Sequence, residues 1–317
     1  MTRSLDDDIE ALLADLISQN DTSINLSAKK TRGMNARSWH LINLMFPIVK
    51  AAQPITGRGV GYKLFVAKHI KSMSQSDMQR VYRLLKEARE SGIIPWSWIV
   101  DEAREFERPP AWSNPKEFAL AAAQQYRRDF WTQQPERCEV WSEKGTVRGV
   151  LQPVLDAYGV GFRVMHGFSS ATVVHDISDD NDTRPLTALY VGDWDPSGLY
   201  MSERDLPSRT ADYGGHHVGV RRVALTQDQL DSLTSFSVHD KHRDPRYVWF
   251  RENYGIRCWE VDALDPNDLR SCVEAHIQTC IKDRDAWERC EGVNKAERES
   301  LHDVLNSWGQ SLTGGES

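Results

Sequence analysis

The segment TALYVGDWDPSGLY, residues 187–200, limits the possible folds of this chain more than any other stretch. Its apolar start is typical of a buried strand, yet the strand ends on two carboxylates, Asp193 and Asp195. Two like charges repel each other, and burying them is costly unless a cation lies between them. Pro196 to Gly198 then end the strand and let a helix begin. The segment therefore predicts a strand–helix unit whose carboxyl end faces a cation.

Strand and helix patterns alternate around this segment. Strand-like runs cover residues 138–143, 162–167, 186–195 and 218–225, and a fifth run covers 256–264. Helical patterns lie between the runs, which predicts an α/β fold with a mostly parallel, Rossmann-like sheet. Ligands of such sheets bind at the carboxyl ends of the strands. Glu143 ends the first run, so we expect it to meet Asp193 and Asp195 at that edge.

The first half of the chain has the pattern of several short helices. Helical runs cover 5–18, 38–50, 56–70 and 76–91, an extended run follows at 93–101, and a further helix covers 118–131. Short helices followed by a strand, with basic residues throughout, are typical of a winged-helix-like DNA-binding module. We therefore divide the chain into an N-terminal helix and linker (1–37), a winged-helix-like module (38–135), a sheet domain (136–285) and a helical tail (286–317).

The composition is that of a globular protein and favours an intracellular one. The chain has 317 residues, of which 40% are hydrophobic and 27% are charged, enough for two domains of common size. No apolar run approaches the ~20 residues of a membrane helix, and the acidic N-terminus has no apolar signal core. The five cysteines form no C-x-x-C pair, which favours reduced thiols. We expect a cytoplasmic protein without a membrane partner.

The net charge of −7 conceals a strong asymmetry. Residues 25–90 contain 13 Lys or Arg against 3 Asp or Glu, so this block is +10 and the remainder is −17. A basic block of that size indicates a polyanion partner, with DNA as the first expectation. A solvated face of ordinary helices would give the same count, and this alternative stays open.

Three strand-end carboxylates predict a metal site. Glu143, Asp193 and Asp195 offer hard oxygen ligands, which Mg²⁺ prefers together with the phosphate oxygens of a substrate; Mn²⁺ is a second candidate. A metal at a phosphodiester stabilises the negative charge that develops on the phosphoryl oxygens. Glu143 and Asp193 are the first-choice ligands, and Asp195 holds a second ion or orients water on the first.

The acidic motifs resemble those of a known family. WSEKGT, followed about fifty residues later by VGDWDPSG, is similar to the TOPRIM domain of topoisomerases, primases and some nucleases. QPITGRGVGYKLF, residues 53–65, resembles the catalytic stretch of the topoisomerase VI A subunit and of the meiotic double-strand-break proteins. The resemblance covers roughly residues 38–285. Gly61 stands where the family usually has an aromatic residue, and three glycines in this stretch predict unusual flexibility.

The resemblance implies DNA cleavage by transesterification. Tyr62 takes the place of the family's nucleophilic tyrosine, and Arg58, four residues before it, clamps the phosphate and assists the phenol. The family's tyrosine works with the metal site of a partner protomer, so a homodimer is implied, and topoisomerase VI carries its ATPase on a separate subunit. Packing of Tyr62 in the core is the alternative reading of this residue.

Two further functions stay open on the sequence. A hydrolytic endonuclease would keep the metal and replace the tyrosine with water, and a DNA-binding subunit of a larger assembly would need no chemistry. The candidate DNA contacts carry positive charge and flank the predicted catalytic residues: Lys63, Lys68, Arg127, Arg128 and Lys144. A solvated surface is the alternative for each of them.

Overall fold

Three helices around one apolar cluster form the N-terminal half. The computed structural model describes residues 36–100, 109–165 and 171–313, so the helix predicted over 5–18 lies outside the described residues. The elements are α1 (Ala36–Ala52), β1 (Ile55–Thr56), α2 (Gly57–Val66), α3 (Gln75–Glu90), a 3₁₀ turn (Trp96–Trp98) and β2 (Ile99–Val100). The three predicted helices are confirmed with shifted ends, and β1 pairs in parallel with β2. The winged-helix arrangement itself stays a prediction.

The glycines of α2 permit close packing. Thr56 begins this helix by accepting a hydrogen bond from the backbone N–H of Gly59 at 2.9 Å. A Cβ at Gly61 would lie 2.5 Å from the Met78 sulfur on α3, and a Cβ at Gly59 would lie 3.0 Å from the Ile55 side chain. The glycines that predicted flexibility therefore let α2 lie directly against its neighbours.

The helix predicted over 118–131 is wrong at its end. Helix α4 spans Pro115–Gln125, and Tyr126 leaves helical geometry with ψ near 127°. Asp129 then accepts a hydrogen bond from the Trp131 backbone N–H and begins a separate 3₁₀ turn, Phe130–Gln133. Phe130 and Trp131 are buried, so core packing of these two rings ends the helix.

A four-stranded parallel sheet forms the centre of the C-terminal half. Its strands and helices are β3 (Arg137–Ser142), α5 (Gly145–Tyr158), β4 (Gly161–Val164), α6 (Ala171–Ser178), β5 (Leu186–Val191), α7 (Pro196–Tyr200), α8 (Leu206–Asp212) and β6 (Val218–Ala224). The strand order is β4-β3-β5-β6, and all three pairings are parallel. The mixed α/β class with a parallel sheet is thus confirmed.

The fifth strand predicted over 256–264 is wrong. Only Arg257–Cys258 is a strand, β8, and it pairs antiparallel with β7 (Phe236–Ser237) outside the parallel sheet; α9 (Tyr247–Tyr254) lies between the two. The backbone of Trp259 exchanges two hydrogen bonds with that of Trp194, at 2.9 and 3.0 Å. These bonds hold the segment across the end of the sheet, so it adds no strand.

The side chains of the central strands alternate between two cores. Val140 and Leu189 point to one face, where they join a cluster with α5 and α10 (Pro266–Cys280). Trp141 and Tyr190 point to the opposite face, where they pack with residues of α6 and α8. This alternation follows from the two-residue period of a strand.

The last helix, α11, runs Arg284–Thr313 and begins two residues before the predicted boundary. Its Trp287 packs edge-on against Phe130 and Trp131, with ring centroids 5.0 and 5.3 Å apart. The start of the helix is therefore part of the sheet domain's core. Within the described residues, no helix is long and apolar enough to cross a membrane.

The contact between β2 and α5 predicts the effect of a small substitution. A Cβ at Gly149 on α5 would lie 2.5 and 2.9 Å from the two methyl groups of Val100. Because Val100 is β-branched and stiff, Gly149→Ala should lower the free energy of unfolding by about 1–2 kcal/mol, despite the helix propensity gained. Urea unfolding followed by circular dichroism measures this change.

Gly292→Ala is the matched control, since its added Cβ on α11 would meet no atom within 4 Å beyond the neighbouring residues and the backbone of its own helix. The control should stabilise the protein by up to about 1 kcal/mol. Equal effects of the two substitutions would contradict the packing described here.

Candidate active site at the carboxyl edge of the parallel sheet

Adjacent strands bring the predicted acids to one edge. Ser142 at the end of β3 pairs with Val191 at the end of β5, so the residues that follow both strands emerge side by side. Glu143 and Lys144 follow β3, and Asp193 and Asp195 follow β5. We call this end of the sheet the carboxyl edge.

Asp195 shapes the turn that carries both aspartates. Its Oδ1 accepts a hydrogen bond from the Gly198 backbone N–H at 2.7 Å and so caps α7. A Cβ at Gly198 would overlap the backbone oxygen of Asp193, which explains the glycine in this turn. The other oxygen, Oδ2, lies 3.0 Å from Lys241 Nζ.

Lys144 bridges two carboxylates. Its Nζ lies 2.9 Å from Asp193 Oδ1 and 3.1 Å from Asp262 Oδ2. Asp193 Oδ1 also accepts a hydrogen bond from the Val261 backbone N–H at 2.9 Å. Burial opposes the charge of Lys144, but Asp193 and Asp262 outweigh it and raise the pKa of this lysine. The cation required at the two strand-end aspartates is thus Lys144 for Asp193 and Lys241 for Asp195.

The charges of Lys144 and Lys241 compensate Glu143 only in part, since both lysines pair with aspartates. Among the described residues, no hydrogen bond or ion pair reaches the Glu143 side chain. Burial first, and then the charges of Asp195 and Asp193, raise its pKa. Burial is also the first cause that raises the pKa of Asp193, against the opposing charge of Lys144. The lysines of the carboxyl edge therefore neutralise the negative charge at Glu143 only in part.

Residues 260–265 form an acidic segment that holds α2 against this edge. The Arg58 guanidinium makes a two-pronged pair with Glu260, with Nη2 2.6 Å from Oε1. Thr56 donates a hydrogen bond to Asp262 at 2.6 Å, and Lys63 pairs with Asp265. The sequence predicted that Arg58 binds a phosphate. In the structure its guanidinium pairs with Glu260 instead.

Tyr62 lies beneath this contact and is only 5% exposed. Burial first, and then the charge of Glu260, raise its pKa above the ordinary tyrosine value. Arg58 opposes this shift, with its Cζ 5.9 Å from the tyrosine ring. The charges of Asp193 and Asp262 raise the pKa of the phenol further. Tyr62 is therefore buried within reach of the charges at the carboxyl edge of the same chain, where its protonated form is favoured.

The predicted DNA contacts are mostly engaged within the protein. Lys63 pairs with Asp265, Lys144 with Asp193 and Asp262, and Arg128 with Glu297 at 2.5 Å, while Arg127 donates to the Ala157 carbonyl at 2.7 Å. Lys68 is exposed and has a left-handed backbone, φ 59°. Sequence spacing could not reveal most of these partners. Asp265, Asp262 and Glu297 each lie more than 100 residues from the cation with which they pair.

Sequence reasoning missed two side chains at the carboxyl edge, Arg222 and Lys241. It placed Glu260 and Asp262 near the metal or in pairs with Arg257 or Arg270, whereas they pair with Arg58 and Lys144. Arg222 is the more informative of the two missed residues. Its guanidinium donates to the carbonyls of Gly192, Asp193, Gly198 and Leu225 and to the Ser202 hydroxyl. It therefore fixes the turn that carries the two aspartates. An arginine inside an apolar strand, VGVRRVAL, was the available signal.

The carboxylate oxygens of the carboxyl edge are suitable ligands for Mg²⁺, but two lysines hold the aspartates in their present positions. Glu143, Asp193 and Asp195 offer carboxylate oxygens at adjacent strand ends, and Glu143 has no other partner among the described residues. In the described part of the chain, no group of three or more His, Cys, Asp or Glu is arranged to hold a metal. Lys144 and Lys241 hold Asp193 and Asp195. The residues fit such an ion in type, and binding requires the two aspartates to exchange lysine for metal.

No family model, curated protein or solved structure matches this chain. The TOPRIM and topoisomerase VI A resemblance is thus a prediction from the motifs.

Removing the poorly compensated charge of Glu143 should stabilise the protein, by an amount that depends on pH. Folding raises its pKa, so the folded protein binds this proton more tightly than the unfolded chain. The ionised carboxylate therefore destabilises the fold at neutral pH, and this cost disappears below the unfolded pKa. Glu143→Gln should raise Tm at neutral pH by an amount worth up to about 1 kcal/mol, small because water screens the site. The gain should fade towards about pH 4.

Thermal melts in EDTA across this pH range measure the effect. Glu299→Gln, an exposed position on α11, is the control and should leave Tm unchanged at every pH. A destabilising Glu143→Gln at neutral pH would show that the carboxylate has a stabilising partner.

Proposed function

We propose that this protein cleaves DNA phosphodiesters at the carboxyl edge in a metal-dependent reaction, with water as the nucleophile. In this proposal the parallel sheet is a TOPRIM-like domain and the N-terminal helices are a winged-helix-like DNA-binding module. The observation that carries the proposal is Glu143, a carboxylate without a hydrogen bond or ion pair among the described residues, beside two strand-end aspartates. A fold retains a destabilising charge of this kind mainly for function.

Residues of the carboxyl edge would fill each role in hydrolysis. Glu143, Asp193 and Asp195 would hold the Mg²⁺ or Mn²⁺, which would stabilise negative charge on the phosphoryl oxygens. The Glu143 oxygen that does not bind the metal would accept a proton from the attacking water. Lys144 and Lys241, released from their aspartates, would donate hydrogen bonds to the phosphate. Arg222 keeps the turn of the aspartates in place.

Glu143→Gln is the sharpest test, because this side chain makes no hydrogen bond or ion pair with any residue that the structure describes. We expect cleavage of a supercoiled plasmid and of an end-labelled duplex to fall by at least about 100-fold, while Tm rises. Cleavage by the parent protein should require Mg²⁺ or Mn²⁺ and stop in EDTA.

Glu299→Gln is again the control and should cleave like the parent. Undiminished cleavage by Glu143→Gln would refute the proposed site. A parent that binds DNA in Mg²⁺ and never cuts it would instead favour a DNA-binding subunit without chemistry.

Transesterification by Tyr62 is the second candidate, favoured because the charges of Asp193 and Asp262 act on this phenol. It requires the Arg58–Glu260 pair to open, since Tyr62 is buried and its pKa is raised. The homodimer and the separate ATPase subunit implied by the resemblance belong to this candidate.

Tyr62→Phe separates the two nucleophiles. Under hydrolysis, the variant should cut within about threefold of the parent, and no protein–DNA adduct should survive denaturation. A covalent adduct formed by the parent and lost in Tyr62→Phe, together with loss of cleavage, would establish the tyrosine as the nucleophile and displace water.

A further inference from the structure

Helix α3 presents a polar, basic face that no part of the proposed active site uses. Its buried side, made of Met78, Val81, Leu84, Leu85 and Ala88, packs into the N-terminal core with α1 and α2. The opposite side is exposed over the full 16 residues, roughly 24 Å at 1.5 Å per residue. The helix is thus held firmly from one side and free on the other.

The first half of this face carries exposed side chains of the types that bind base edges in protein–DNA complexes. Gln75, Ser76, Gln79 and Arg80 are all exposed. Asp77, the acid in this part of the helix, turns back to accept hydrogen bonds from the Ser72 backbone N–H and hydroxyl, at 3.1 and 2.7 Å. Glutamine pairs with adenine and arginine with guanine in the major groove. This half offers donors and acceptors with little negative charge to repel phosphate.

The second half of this face carries two cations in weak, exposed ion pairs. Arg83 lies 3.8 Å from Glu87, and Lys86 lies 3.6 Å from Glu90, each one helical turn away. The two cations are 63% and 65% exposed, so these pairs are weak and readily replaced by phosphate contacts. By contrast, Arg58 and Lys63 on α2 are engaged by the acidic segment. Among the described residues, α3 therefore carries a large part of the available positive charge of the basic block.

The surroundings of α3 extend the same charge. Lys68 and Lys71 are exposed in the loop before the helix. Tyr82 is 42% exposed on the helix, and Trp96 is 59% exposed next to the Arg89 guanidinium, 4.8 Å from its ring. Exposed aromatic rings among cations are typical of nucleic-acid surfaces.

We propose that the exposed face of α3 binds duplex DNA, with the helix in the major groove, Gln79 and Arg80 at base edges, and Arg83 and Lys86 at phosphates. This proposal rests on the proposed function in taking DNA as the substrate. An α-helix with its side chains is about 10–12 Å across and therefore fits the ~12 Å width of the major groove. Charge complementarity between this face and the phosphates selects the occupant.

The test uses the full chain in EDTA, so that binding is measured without cleavage. Anisotropy of a labelled duplex is followed against salt for Arg83→Gln/Lys86→Gln. Its matched control is Arg289→Gln/Lys295→Gln, which removes two exposed charges from α11. We expect the slope of log K against log salt to become shallower by about 1.8 in the α3 variant only, near 0.9 for each lost phosphate contact.

Base reading is tested by selection from a random duplex pool. Gln79→Ala and Arg80→Ala should each relax a preference of the parent at one position. Unchanged preferences in both variants, an unchanged salt slope, or tighter binding of an RNA duplex of the same sequence would each overturn the proposal. If the parent cleaves DNA while the α3 variants bind like it, the proposed function survives and this surface does not. If Glu143→Gln binds DNA through α3 and the parent never cuts, only the catalytic proposal fails.

Discussion

The charge balance at Lys144 is the interaction on which the rest of this structure depends. Its ammonium group lies between Asp193, which follows a central strand, and Asp262, which belongs to the acidic segment. Without a cation at that point, two poorly solvated carboxylates would repel each other across the end of the sheet. Lys144 therefore joins two regions of the chain almost seventy residues apart. The same contact occupies an oxygen that a divalent metal would use.

The acidic segment serves both halves of the molecule. Glu260 and Asp265 engage Arg58 and Lys63 on α2, while Asp262 is shared between Thr56 and Lys144. The N-terminal helices are thereby positioned over the carboxyl edge by ion pairs, in addition to the contact of Val100 with α5. This arrangement keeps Tyr62 buried and leaves α3 as the exposed basic helix.

Much of the sheet could be predicted because its signals are local. Apolar runs ending on Glu143 and on Asp193 marked two strand ends, and alternation of strand and helix implied that parallel pairing would bring them together. The strand predicted over 256–264 is wrong, because backbone hydrogen bonds between Trp259 and Trp194 hold this segment across the end of the sheet. The helix over 118–131 failed because burial of Phe130 and Trp131 overrode the helical pattern. Such contacts depend on the completed fold, and no window of sequence contains them.

The acids of the candidate site were predicted from the sequence, but the ion pairs made by its cations were not. A carboxylate at the end of a strand is visible in the sequence, whereas the partners of Arg58 and Lys144 lie 202 and 118 residues along the chain. That separation has a consequence for biosynthesis. A ribosome-bound chain that has not yet reached Asp262 already contains the three strand-end acids, yet it lacks the segment that orders Lys144 and α2 around them. Chain contacts of such long range form late, so the carboxyl edge is assembled only once synthesis has passed Asp262, and translation products that end earlier lack its ion pairs.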